Sequence, residues 1–151
     1  MVFTLTNGKL IDTEMIAMAM EDADGADRYY LNTQTGEVSF FSEFALSSDE
    51  RERLSEEFEG DEYIPIERIP SHEAYQWMED FVEQFVASKD KYIAEKLSIA
   101  LMGKGAFRRF KDVLNSVGNE WVQAWYQYKD EQLYQVMKQW FVSLPLTLTE
   151  Q

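Results

Sequence analysis

The sequence contains no cysteine. That rules out disulfides, thiolate metal sites and cysteine nucleophiles, and it suits a reducing compartment such as the cytoplasm. Histidine occurs once, at His72, so a His-rich metal centre is ruled out as well. No apolar run approaches the roughly 18 residues that a membrane-crossing helix needs. The opening Met1-Val2-Phe3-Thr4-Leu5-Thr6-Asn7 has neither a basic stretch nor a long apolar core, so no signal peptide is expected. Cations are scarce: 14 Lys+Arg face 28 Asp+Glu, for a formal net charge of -14. This balance disfavours broad non-specific contact with nucleic-acid phosphates and favours solubility or a basic partner.

Aromatic side chains are abundant, with ten Phe, eight Tyr and four Trp in 151 residues. Each can bury roughly 150–250 Å², so a sizeable core is available and a disordered chain is not expected. The length fits one domain, 1–151, read as a mixed α/β part at 1–70, a helical part at 71–145 and a flexible tail at 146–151.

In the first part, Asp12 is placed to cap a short helix carrying Met15, Ile16, Ala19 and Met20, with Gly25 placed to end it. Tyr29-Tyr30-Leu31 and Val38-Ser39-Phe40-Phe41 flank Asn32-Thr33-Gln34-Thr35-Gly36, a hairpin pattern whose further partner is Val2–Leu5, Tyr63–Ile66 or a helix on which it packs. Ser47 to Glu62 is the most acidic stretch, with eight Asp and Glu against Arg51 and Arg53, and Ser47 or Ser48 is placed to cap a helix there. Pro65 and Pro70 mark Tyr63–Pro70 as an edge strand or extended connector.

From Ser71, taken as an N-cap, the periodicity turns helical. Ala74, Tyr75, Met78, Phe81, Val82 and Phe85 line one face of a first helix. Ile93, Leu97, Ala100 and Leu101 line a second that stops at Gly103. A third, about 106–117, presents Phe107, Phe110, Val113, Leu114 and Val117. A fourth, about 120–144, stacks Trp121, Trp125, Tyr128, Leu133, Met137 and Trp140 before Pro145 stops it. The expected fold is α+β: a small N-terminal antiparallel hairpin or sheet with a short helix, followed by a four-helix C-terminal unit.

The strongest functional lead is Gly103-Lys104-Gly105-Ala106-Phe107-Arg108-Arg109-Phe110-Lys111-Asp112, four cations in ten residues of an acidic chain. It ends a longer basic zone. Residues 89–111 hold seven cations against Asp90 and Glu95, a net of +5 that leaves -19 for the remainder. On a helix, Arg108–Asp112 and Arg109–Asp112 have ion-pair spacings. Lys104, Arg108, Arg109 and Lys111 are thus candidate residues for an acidic or phosphate-bearing partner. The competing reading has the arginines docked on Asp49–Glu62 or on the Glu79/Asp80/Glu83 face of the same molecule. The glycine spacing lacks the preceding strand of a dinucleotide or phosphate-loop fingerprint.

Other candidates are weaker. His72 beside Glu73 would serve as a general base only with a partner from another element, because adjacent helical residues do not face each other. Glu79, Asp80 and Glu83 are the carboxylates spaced for a cation, a pattern that also describes a solvated face. No catalytic residue, metal ligand or cofactor site is assigned. Trp121, Trp125, Tyr126, Tyr128, Tyr134, Trp140 and Phe141, in helix 120–144, suit stacking on bases, a core, or an interface between copies of the chain.

Arg28-Tyr29-Tyr30-Leu31, Thr35-Gly36-Glu37-Val38, Tyr63-Ile64-Pro65-Ile66, Glu73-Ala74-Tyr75, Met78-Glu79-Asp80-Phe81 and Gly105-Ala106-Phe107-Arg108-Arg109-Phe110-Lys111-Asp112 resemble the bacterial uncharacterised protein family 158. The likeness covers nearly the whole chain and includes the Trp-rich final helix. It implies a small bacterial domain and supplies no activity. The functional expectation is therefore a non-enzymatic cytoplasmic binding or regulatory protein that uses its basic patch. Alternatives are nucleic-acid binding through residues 89–111 and an enzyme using His72 with nearby carboxylates.

Overall fold

Asp12 accepts the Met15 backbone N–H at 3.1 Å, and this cap starts helix α1 (Thr13–Glu21). Its buried side is Ile16, Ala19 and Met20, the face that periodicity marks. The computed structural model describes residues 2–22, 27–42 and 46–150. The expected Gly25 cap lies outside the described residues; α1 ends at Glu21, with Asp22 at its C-cap. The fold is α+β, in two compact units: residues 1–69 with 136–151, and residues 70–135.

Among the described residues the first unit holds two small sheets. Strands β2 (Asp27–Asn32) and β3 (Val38–Ser42) form the expected hairpin, and β4 (Tyr63–Pro65) pairs with the other edge of β2. Tyr63–Ile66 is thus the hairpin's partner, and Val2–Leu5 is not. Strand β1 (Phe3–Leu5) instead pairs antiparallel with β5 (Leu148–Glu150), in the register Phe3↔Glu150, Thr4↔Thr149, Leu5↔Leu148. Leu148–Glu150, within the expected tail, are therefore a paired strand. The other side of β1 is occupied too: Leu5 N–H donates to the Lys9 carbonyl and Ile11 N–H to that of Phe3, each at 2.9 Å.

Gly36 closes the hairpin at φ 78°, with a Leu10 carbonyl oxygen only 2.2 Å from where a Cβ would stand. Its own carbonyl accepts the Asp12 N–H at 2.9 Å. Glycine is required there both for the left-handed backbone and for this close chain crossing. Helix α2 (Ser48–Glu57) is capped by Ser47, whose Oγ accepts the Glu50 N–H at 3.2 Å. It buries none of its own residues. It is held at its end by Phe58, whose ring stacks on Tyr30 at 4.4 Å and meets Tyr63 edge-on at 4.7 Å. On β2, Tyr29 is buried; its hydroxyl is pushed up to about 12 by that burial first, and then by the carboxylates of Asp22 and Asp27.

The second unit is built from four helical rods. The first runs from α3 (Ser71–Phe81) through a π-helical segment, Val82–Val86, into α4 (Ala87–Lys89). Ser71 is the first helical residue rather than the cap; Pro70 holds that position without a side-chain hydrogen bond. The others are α5 (Lys91–Ala100), α6 (Ala106–Val117) and α7 (Asn119–Ser143) up to Gln135, beyond which α7 belongs to the first unit. Asp90 caps α5, accepting from Tyr92 and Ile93 N–H at 3.0 and 3.1 Å. The core of this unit centres on Trp125, whose ring lies 5.4 Å from that of Phe81 and 5.1 Å from that of Phe110. Trp121, Leu97, Leu114 and Val86 are buried as well. The π segment buries both Val82 and Val86 and leaves Phe85 stacked on Phe81 at 5.3 Å.

Candidate functional site

The turn between α5 and α6 is set by two glycines in left-handed backbone, Gly103 and Gly105. The last carbonyls of a helix have no partner within it and form the negative end of its dipole. Here Arg109 collects the last of them, that of Ala100, together with three carbonyls of the turn that follows. Its Nε donates to the Ala100 carbonyl at 3.1 Å, Nη1 to that of Lys104, and Nη2 to those of Met102 and Gly103, the last at 3.3 Å. A guanidinium presents five N–H donors in a fixed planar fork, which suits a cluster of converging carbonyls. A Cβ on Gly105 would sit 3.1 Å from Nη1, so the clamp and the glycine are matched.

Arg109 is therefore neither docked on the acidic segment nor presented to solvent: it is half-buried and spent on the end of α5. The three remaining candidates behave differently. Lys104, Arg108 and Lys111 are exposed, and among the described residues none has a carboxylate within ion-pair distance. The Arg108–Asp112 and Arg109–Asp112 pairs expected from spacing do not form, and Asp112 is itself exposed. The helix projection explains the division. Ala106, Phe110 and Leu114 are the buried side of α6, which puts Arg109 on the flank facing the end of α5 and turns Phe107, Arg108 and Lys111 outward. Phe107, expected in the core stripe, is accordingly 43% exposed.

The structure does not bring the other candidates into a site. His72 is exposed in the first turn of α3, and Glu73 beside it is half-buried. Asp80 accepts a hydrogen bond from Gln76 Nε2 at 2.9 Å. It also adds to the rise of the Tyr128 hydroxyl's pKa, which burial drives first. Among the described residues no group of three or more His, Asp or Glu side chains is arranged to hold a metal ion. Trp121, Trp125 and Phe141 of α7 are buried in packed cores, while Tyr126 is exposed with Lys129 Nζ 5.2 Å from its ring centre. The buried rings are unavailable for stacking on bases.

Two features were not read from the sequence. One is a shallow acidic cleft of about 500 Å³ in the first unit, between Thr33, Glu59, Asp61, Tyr63 and Pro145. The other is a second apolar stripe on α5, on the side opposite its buried face: Tyr92 and Ile99 are exposed seven residues apart, with Lys96 between them. The spacing of that stripe was available in the sequence. The stronger Ile93, Leu97, Ala100 and Leu101 pattern masked it.

No helix among the described residues is long and apolar enough to cross a membrane. A family model described as an uncharacterised protein family, UPF0158, matches residues 4–148. No curated protein and no solved structure matches the chain.

Proposed function

We propose, for a chain that belongs to the uncharacterised protein family UPF0158, a binding or regulatory role in the cytoplasm with no chemistry of its own. Lys104, Arg108 and Lys111 contact an acidic protein or another anion-bearing partner. The observation that carries this reading is the exposure of three cations with no carboxylate at ion-pair distance among the described residues, in a chain with twice as many acids as bases. Electrostatics alone favours pairing them internally, so leaving them open has a use in association. The test is the triple variant Lys104→Glu, Arg108→Glu, Lys111→Glu, compared with the parent for binding poly-glutamate and inorganic polyphosphate at low salt. The expected result is at least a tenfold loss of affinity with an unchanged circular dichroism spectrum. Equal binding by both proteins overturns the reading.

Nucleic-acid binding is the second reading. It is favoured by the +5 charge of residues 89–111 together with exposed Tyr92, on whose ring Lys96 Nζ lies at 5.3 Å. It requires affinity that falls steeply with salt; no shift of RNA or single-stranded DNA at low salt rejects it. Against it stands the burial of the large aromatics of α7. No contact in the structure favours an acid–base role for the exposed His72.

A further inference from the structure

Helix α5 has an unusual outer side. It buries Ala94, Leu97 and Ala100, and a helix covered on one side ordinarily turns polar residues outward. Most outward residues of α6 follow that rule, with Arg108, Lys111, Asp112 and Asn115 exposed and Phe107 the exception. On α5 the outward stripe is instead Tyr92 and Ile99, 68% and 58% exposed, continued by Met102 at 67% in the following turn. Single exposed apolar residues need no explanation, but a stripe at helical spacing marks an interaction surface. Lys96 lies within that stripe, and Lys104 follows Met102. Apolar anchors and cations alternate along one element and the turn that leaves it.

We propose that this face docks a short acidic amphipathic helix of a partner protein. The partner's apolar residues would lie on Tyr92, Ile99 and Met102, and its Asp and Glu residues beside Lys96, Lys104 and Lys111. The proposal rests on the anion-binding reading above and names the class of partner. Charge complementarity selects the occupant. A wholly acidic segment would leave Ile99 and Met102 uncovered, and a wholly apolar one would bury unpaired lysines, which is costly. Length agrees: the ten residues of α5 span about 15 Å at the helical rise of about 1.5 Å per residue. That matches a partner helix of about three turns laid along it.

An extended polyanion or an anionic membrane has the same local chemistry and a worse global fit. Residues 70–135 carry a net charge of -2, while residues 1–69 and 136–151 carry -12. A broad anionic surface meets a protein of net charge -14, whereas a short helix meets the local face alone. Glu95, exposed on the outer side of α5, also disfavours a uniformly negative surface more than a helix with an apolar seam.

The experiment uses the full-length protein and three labelled synthetic peptides: an acidic helix with Leu at i, i+3 and i+7, the same composition scrambled, and the amphipathic helix with Lys in place of Asp and Glu. Fluorescence anisotropy is read for the parent, for Ile99→Ser/Met102→Ser, and for Lys104→Glu/Lys111→Glu. The first peptide is expected to bind best, scrambling to weaken it at least fivefold, charge inversion to abolish it, and each double variant to weaken it about tenfold. These substitutions lie at exposed positions, and an unchanged amide NMR spectrum away from the face verifies the fold. If the serine variant binds as the parent does while the glutamate variant loses poly-glutamate and peptide alike, the amphipathic partner is refuted and the anion-binding reading stands. If no anionic probe binds at all, both fail. If phosphatidylserine vesicles or RNA bind and the peptides do not, the occupant is a membrane or nucleic acid and the proposal is overturned.

Discussion

Arg108 and Arg109 are neighbours with opposite fates, and the difference is geometric. A step of about 100° around a helix separates a side chain that reaches the end of α5 from one that faces solvent. Hydrogen bonds from a charged donor contribute about 1.5–3 kcal/mol each when they are not shared with water. The Arg109 fork reaches the carbonyls of Ala100, Met102, Gly103 and Lys104. Replacing Arg109 by Met is therefore expected to lower unfolding free energy by about 2 kcal/mol in urea denaturation. Arg108→Met is expected to stay within about 0.5 kcal/mol of the parent, as exposed substitutions do. Arg109→Lys keeps the charge with a single ammonium in place of the fork and is expected to recover only part of the loss. Equal stability of the Met variants would show that the clamp contributes nothing. Exposed ion pairs contribute less: one such as Lys138–Glu150, at 3.6 Å, is worth about 0–1 kcal/mol.

At the scale of elements, β5 is the piece whose removal is most informative. Without it β1, whose Phe3, Thr4 and Leu5 are all buried, keeps only the Lys9–Ile11 side of its hydrogen bonding. Deleting residues 147–151 is expected to cost about 2–3 kcal/mol, since each lost hydrogen bond contributes about 1 kcal/mol. It should also collapse the amide-exchange protection of β1; unchanged protection there would show that β5 is dispensable. This strand illustrates where sequence reading stops. Elements specified by neighbouring residues were legible: α1 from Asp12 and its buried Ile16, the hairpin from Asn32 to Gly36, α2 from Ser47, and the chain break at Gly103. β1 and β5 pair across about 145 residues, and no local pattern encodes that partnership. The same limit applied to the site. The cationic run was visible, but its division into a clamp and an open face depended on where α5 ends in space. The apolar anchors of α5 were hidden behind its stronger core stripe, and the π segment left no periodic signature at all.

For the molecule as a whole, the charge is unevenly placed, -12 on the first unit and -2 on the second. Self-repulsion of that size opposes the compact state. Raising the salt from about 0.01 to 0.15 M shortens the screening length from about 30 to 8 Å. Thermal midpoints measured by circular dichroism are accordingly expected to rise by about 2–4 °C per kcal/mol recovered; a fall would mean that attractive pairs outweigh the repulsion. The β1–β5 pairing carries a further consequence, one of timing. A chain made from its N-terminus presents residues 70–135 as a continuous stretch, complete once Gln135 has emerged. The strand that closes the first unit, β5, emerges only after the whole of residues 70–135. Until then β1 has only its Lys9–Ile11 side bonded, and the edge that β5 covers stays open. An open strand edge is a template for pairing with other chains, so β1 is a stretch for a chaperone to shield during synthesis.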